Sequence, residues 1–151
     1  MAAVEKDTIS IEKIFGFPAQ KLWEAWTEPD IIKQWFGSDP NGTVLYAVLD
    51  VWLGGHFEIS FSNADGEEHT CFGTYYDVEL YKLLRFCWEW KSEPGVESFV
   101  TVVFMPHDNG TLMQFTHANV GHASAHNYLK GWHDTFFKLE HALNILNSSG
   151  F

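Results

Sequence analysis

The sequence predicts an α+β fold, a strongly curved antiparallel sheet wrapped on one long C-terminal helix, with two short helices after the first strand. Three observations carry this expectation. From Ser124 to about Asn147 the apolar residues Ala125, Leu129, Trp132, Phe136, Leu139, Leu143 and Leu146 are spaced alternately by four and three, which places them on one stripe of a helix. From Thr43 to Asn119 the period changes to two, in short runs separated by Gly, Asn, Asp and Pro turn signals. Between Pro18 and Gly37 the only other helical spacing occurs. A helix stripe and a one-faced sheet each need cover, and each covers the other.

The elements follow in order. Thr8 to Phe15 alternates, with Ile9 and Ile11 on one face, as in a first strand. Pro18 suits a first helical residue, and Ala19, Leu22, Trp23 and Trp26 follow at helical spacing. Thr27 with Asp30 resembles a capping box for a second helix whose apolar face is Ile31, Ile32, Trp35 and Phe36, closed by Gly37. Val44 to Trp52 and His56 to Ser62 are expected to pair across a two-residue Gly54-Gly55 turn. Asp65-Gly66 leads to a strand from His69 to Val78, and Leu83 to Trp90 follows with Leu84, Phe86, Trp88 and Trp90 in one parity. Beyond Pro94-Gly95, Phe99 to Met105 and Thr111 to Asn119 form a hairpin across a loop holding Asn109-Gly110. The sum is seven strands and three helices.

One domain over residues 8–147 is expected, with short tails at 1–7 and 148–151, since 151 residues can bury one core and no repeat divides them. Aromatics make up 17%, including seven Trp and thirteen Phe, an excess that must fill a core or line a cavity. Nine Lys plus Arg stand against 20 Asp plus Glu, and the net charge of -11 repels both a phosphate backbone and an anionic membrane surface. Nucleic acid and membrane are therefore not expected partners. The N-terminus lacks the pattern of a signal peptide and no apolar run could span a bilayer, so a cytoplasmic location is expected, with Cys71 and Cys87 reduced.

The ordered set Pro18, Leu22-Trp23-Glu24-Ala25-Trp26-Thr27-Glu28-Pro29, Trp35-Phe36-Gly37, Asp50, Gly54-Gly55-His56-Phe57, Gly73, Tyr75, Trp88, Thr111, His117 and Gly131-Trp132 resembles the family related to the activator of Hsp90 ATPase. That family belongs to the START-like, or Bet v 1-like, helix-grip superfamily. The resemblance covers roughly residues 8 to 146 and implies a seven-stranded sheet gripping the C-terminal helix, often with a hydrophobic cavity between them. Lys13 and Trp52 depart from it, standing where many relatives carry Arg that an acid such as Asp50 would contact.

Parity and helix face turn Trp35, Phe57, Ile59, Trp88, Trp90, Phe104, Phe115, Trp132 and Phe136 inward, which makes them candidates for a cavity lining; the plainer reading is that they fill the core. His117 shares parity with Met113 and Phe115, and would either meet a ligand, serve as an acid or base, or sit as a satisfied core histidine. His122, His126 and His133 have helical spacing, but no Cys or carboxylate joins them, so a solvated helix face is expected and no metal. The acids Glu58, Asp77 and Glu89 read as solvent-facing. No nucleophile elbow, dinucleotide fingerprint, phosphate loop or H-E-x-x-H motif is present, and no catalytic residue or cofactor is assigned.

Three functions follow as expectations. The first is a module binding a small apolar or aromatic ligand between sheet and long helix. The second is a protein-interaction domain, by analogy with the co-chaperone that names the family, with the chain a monomer or homodimer. The third is a cyclase-type enzyme turning on His117.

Overall fold

The computed structural model describes residues 8–120 and 127–148. Seven strands form one sheet: β1 (Thr8–Phe15), β2 (Thr43–Leu49), β3 (His56–Ser62), β4 (Glu68–Glu79), β5 (Leu83–Trp90), β6 (Ser98–His107) and β7 (Gly110–Ala118). Their order is β1-β7-β6-β5-β4-β3-β2, and every neighbouring pair is antiparallel. Strands β2 to β7 are joined to their neighbours by hairpins, so the one long connection is between β1 and β2, which lie at opposite edges. Helices α1 (Ala19–Thr27) and α2 (Pro29–Ile32) make that crossing. Bulges between Val44 and Tyr46 and between Tyr75 and Asp77 tighten the twist that lets the sheet curl. The inner face buries Ile11, Phe15, Phe57, Ile59, Tyr75, Leu84, Phe86, Val100, Val102, Phe104, Met113 and Phe115. Helix α3 (Tyr128–Ser148) lies against that face with Trp132, Phe136, Leu139 and Leu143 buried. This is the α+β helix-grip arrangement.

Several local expectations are corrected. Thr27 does not cap α2: it is the last residue of α1, and its hydroxyl bonds back to the Trp23 carbonyl at 2.8 Å. Helix α2 begins with Pro29 at its first position and has no side-chain cap, because the fixed φ of Pro and its missing N–H already suit that place. The two glycines at 54 and 55 do not form a two-residue hairpin turn. They close a longer loop over 50–55, in which Gly54 has φ +85° and a Cβ on Gly55 would lie 1.9 Å from the Asp50 carbonyl oxygen. Between β6 and β7 the turn residues are Asp108, at φ 50°, and Asn109, while Gly110 is already paired with His107.

On α3 the stripe is shifted. Leu129 is 51% exposed, because at 100° per residue it sits about 60° off the Trp132 direction in the first turn. Tyr128 is buried in its place, its hydroxyl accepting the Trp90 indole N–H at 2.7 Å. Lys138 of α3 reaches across to the carbonyls of Gly37 and Asp39 at 3.1 and 2.8 Å. Ala125, His122 and His126, the helix start at Ser124, the segment from Met1 to Asp7, and Ser149 and Gly150 lie outside the described residues. Cys71 and Cys87 are both free. Cys71 faces inward and is buried, whereas Cys87 belongs to the opposite parity and accepts the Thr74 N–H at 3.2 Å. Lys13, one of the two departures from the family pattern, pairs with Glu140 of α3 at 3.3 Å. Trp52, the other, is exposed on the 50–55 loop.

Candidate functional site

A pocket of about 250 Å³ opens between the first turns of α3, the segment after α2, and the ends of β3 and β5. Its wall is aromatic: Phe36, Phe61, Trp88, Trp90, Tyr128 and Trp132. The rest of the lining is polar: the buried Thr135, and the partly or fully exposed Ser38, Asn63, His69, Asn127, Lys130 and Asp134. Strand parity puts Trp88 and Trp90 on the inner face of β5, two residues apart, with ring centroids 5.2 Å apart and the planes nearly perpendicular. Trp132 descends from α3 to meet Trp88 at 5.4 Å, and Phe36 meets both indoles at about 6 Å.

Gly131 supplies the gap. A glycine in a helix interior costs roughly 0.5–1 kcal/mol relative to Ala. A Cβ at Gly131 would meet only the Ser38 Cβ, at 3.9 Å. Packing therefore does not require glycine here; the missing side chain leaves room where the helix borders the pocket. The segment opposite is held by Lys138 and by Asp39, whose carboxylate accepts the Ala64 and Asn41 N–H groups at 2.8 and 2.9 Å. Those two backbone bonds lower the Asp39 pKa, with Lys138 adding a smaller pull. Burial lowers the Lys138 pKa despite the opposing attraction of Asp39.

The sequence-derived candidates divide into two groups. Trp88, Trp90 and Trp132 line the pocket. Trp35, Phe57, Ile59, Phe104, Phe115 and Phe136 are buried in the core away from its lining, as is His117. The environment of His117 is fully defined. Trp132 Nε1–H donates to Nδ1 at 3.0 Å, so Nδ1 carries no proton, and Nε2–H is left to donate to Ser98 Oγ at 2.7 Å. Ser98 in turn donates to the Trp88 carbonyl at 3.4 Å. Burial pushes the His117 pKa down to about 3. With both nitrogens engaged, this imidazole has neither a lone pair nor a proton to offer a substrate without breaking a core bond. The relay fixes the orientation of Trp132, and through it one wall of the pocket.

Phe36, Phe61, Tyr128 and Gly131 belong to the site without having been singled out for it. Gly131 carried a signal of its own, a glycine inside a strongly helical pattern, and Phe36 was placed on the apolar face of the second helix without being assigned to a site. Among the described residues, no group of three His, Cys, Asp or Glu side chains could hold a metal ion. His133 is exposed on α3. Among them also, no helix is long and apolar enough to cross a membrane.

Comparison with known proteins sets this geometry in context. No curated protein matches the chain. A protein from Chromobacterium violaceum superposes with a TM-score of 0.80 at 17% identity, covering 91% of this chain and 97% of its own. An AHSA1-like protein from Aeromonas hydrophila gives 0.79 at 23%, covering 93% and 94%. A putative uncharacterized protein from Rhizobium leguminosarum gives 0.78 at 27%, covering 91% and 93%. The model of the family described as activator of Hsp90 ATPase homolog 1-like protein matches residues 16–144, and the chain belongs to that family.

Proposed function

We propose that the protein is a binding module for a small apolar or aromatic molecule, held in the pocket between α3 and the inner face of the sheet. The observation that carries this reading is Gly131. A helix position where a side chain would fit, and would stabilise the helix, is left empty where it borders an aromatic wall. The pocket's size suits a small ring compound: a cavity of about 150 Å³ accommodates benzene, and this one is about 250 Å³. Its make-up, an apolar wall with polar groups in the rest of the lining, is that of small-molecule sites in general.

The test is to fill the space. Gly131→Leu should keep the fold and abolish binding of ring compounds that shift the native protein's tryptophan emission or melting temperature. A Gly131→Leu protein that binds the same compounds with unchanged affinity would refute this pocket as the site.

A second reading, a protein-interaction domain, is favoured by the 50–55 loop and edge strand β2, where Leu45, Tyr46, Val48, Trp52 and Leu53 are all exposed. It predicts that Trp52→Ser with Leu53→Ser weakens capture of a protein partner and leaves small-molecule binding intact. Hsp90, with its ATPase as readout, is the first partner to assay. No effect of the protein on that ATPase, and no complex with Hsp90, would remove the analogy that suggests it.

A further inference from the structure

The sheet is open and has two edges, β1 and β2. An exposed edge offers unpaired N–H and C=O groups to any other strand, and proteins guard it with charge, proline or a covering element. The β1 edge is guarded in this way. It carries Glu12, which accepts the Gln114 side-chain amide at 2.8 Å, and Lys13, which reaches Glu140 of α3 at 3.3 Å. The β2 edge is not. Its sequence, TVLYAVL, has no charge, no proline and no glycine, and Leu45, Tyr46 and Val48 are between 40% and 52% exposed. The bulge between Val44 and Tyr46 disturbs only its beginning, and Tyr46 to Leu49 pair with β3 without a break.

Register fixes which backbone groups are free. The Asp50 N–H donates to the His56 carbonyl at 2.9 Å, and in an antiparallel pair the bonded positions alternate. Val48 opposite Glu58, and Tyr46 opposite Ser60, therefore bond to β3, whereas the N–H and C=O groups of Ala47 and Leu49 point away from the sheet. The side chains of Ala47 and Leu49 turn to the inner face with Ile59 and Phe57, and that of Val48 turns to the outer face beside Glu58.

Charge decides what can approach. At a net charge of -11, a second copy of the chain is repelled by most of this surface. Strand β2 is exempt: the first charges beyond it in the sequence are Asp39 and Asp50, and Glu58 beside it is matched by Lys91 at 3.2 Å and bound by the Tyr46 hydroxyl. Two copies meet here at the least electrostatic cost. The strand is also its own complement, because a two-fold axis at Val48 brings the free groups of Ala47 opposite those of Leu49 in the other copy.

Building on the reading of this surface as a protein-binding one, we infer that β2 pairs antiparallel with β2 of a second copy of this chain, joining the two sheets edge to edge. Each Ala47 exchanges backbone bonds with Leu49 of the other copy, and the two Val48 side chains meet on the outer face. No β2 residue lines the pocket, so the pocket stays open in the dimer.

Sedimentation of the full chain between about 1 μM and about 1 mM tests this, a range suited to an interface at the small end of the scale. A monomer–dimer equilibrium should appear, and added salt should strengthen it, because the two copies carry the same net charge. Ala47→Pro removes an outward N–H, sets a ring in the path of the other strand and leaves the bonds to β3 in place. It should weaken the dimer about tenfold or more with the near-ultraviolet circular dichroism unchanged. The native chain gives a second measurement that needs no variant: the Ala47 and Leu49 amides should exchange about tenfold more slowly in the concentrated sample than in the dilute one, while those of β1 keep their rates. Should Ala47→Pro fail to fold, these rates decide alone. A chain that is monomeric throughout, a dimer that a folded Ala47→Pro leaves intact, or a dimer whose Ala47 and Leu49 amides are no slower would each overturn the inference and leave the pocket reading standing. A monomeric chain whose capture of Hsp90 is weakened by Trp52→Ser with Leu53→Ser would overturn it too, keeping the protein-binding reading and giving the edge to a foreign protein.

Discussion

Acidification should unload the core through His117. In the folded protein its pKa is about 3, against 6.5 for an unperturbed histidine. The unfolded chain therefore takes up a proton that the folded one refuses. Stability contributed by the neutral imidazole is fully present above about pH 6.5 and is lost as pH falls through the window down to about 3. Between pH 7 and pH 5 the loss from this residue is about 2 kcal/mol. Because pH 5 lies well above the folded-state value, that figure depends almost entirely on the unfolded chain. Urea denaturation at the two pH values measures it, with His117→Gln as the reference. Glutamine stays neutral throughout, and the other seven histidines are common to both proteins and cancel. The native protein should lose about 2 kcal/mol more than the variant on going to pH 5. The same loss in both proteins, or a His117 resonance titrating near 6.5 in the folded state, would refute the assignment of a neutral imidazole locked between Trp132 and Ser98.

Two glycine substitutions should move in opposite directions. Gly131→Ala should stabilise by up to about 1 kcal/mol, whereas Gly73→Ala places a Cβ 1.9 Å from the Cys87 carbonyl oxygen. It should cost more than about 3 kcal/mol because backbone must move; equal thermal shifts would contradict the geometry. Thr111→Val removes a fully buried hydroxyl that donates to the Phe17 carbonyl at 2.7 Å. It should cost about 1–3 kcal/mol in urea melts, and an unchanged midpoint would show that the bond contributes nothing. Deleting residues 124–151 uncovers the sheet's inner face, so the remainder should bind a hydrophobic dye and lose its near-ultraviolet circular dichroism. A cooperative melt of that truncated chain would end the view that α3 completes the core.

The strands were legible because only one sheet face is buried. Leu84, Phe86, Trp88 and Trp90 alternate with Arg85, Cys87 and Glu89, and no other register hides the four large side chains. Turn and cap chemistry was read less well where one residue type serves two purposes. Gly54 is needed for its positive φ and Gly55 for a close approach to Asp50, which as a dipeptide imitates a tight hairpin turn. Thr27 has the chemistry of a cap but spends its hydroxyl inside α1, and Pro29 was the stronger mark of the next helix. The pocket was the least legible. Parity says which way Phe57 or Trp88 points and not what lies opposite, and only the separation of α3 from the ends of β3 and β5 distinguishes core from cavity. Lys138 was hidden for a related reason, since a long side chain on the polar side of a helix can still reach the loop beside it.

The aromatic cluster also has an optical consequence. Trp26 lies 5.0 Å from Trp35 and 6.3 Å from Trp132, and Trp132 lies 5.4 Å from Trp88, which lies 5.2 Å from Trp90. Indoles this close exchange excitation faster than they emit, so light absorbed anywhere along this chain of five rings is shared before it is released. The emission of the protein then belongs to the cluster rather than to any one tryptophan. A quencher lodged beside Trp88 would dim Trp35 as well, although Trp35 is no part of the pocket lining. Removing Trp132, the bridge between the two ends, would split the cluster into two independent emitters, each with its own lifetime.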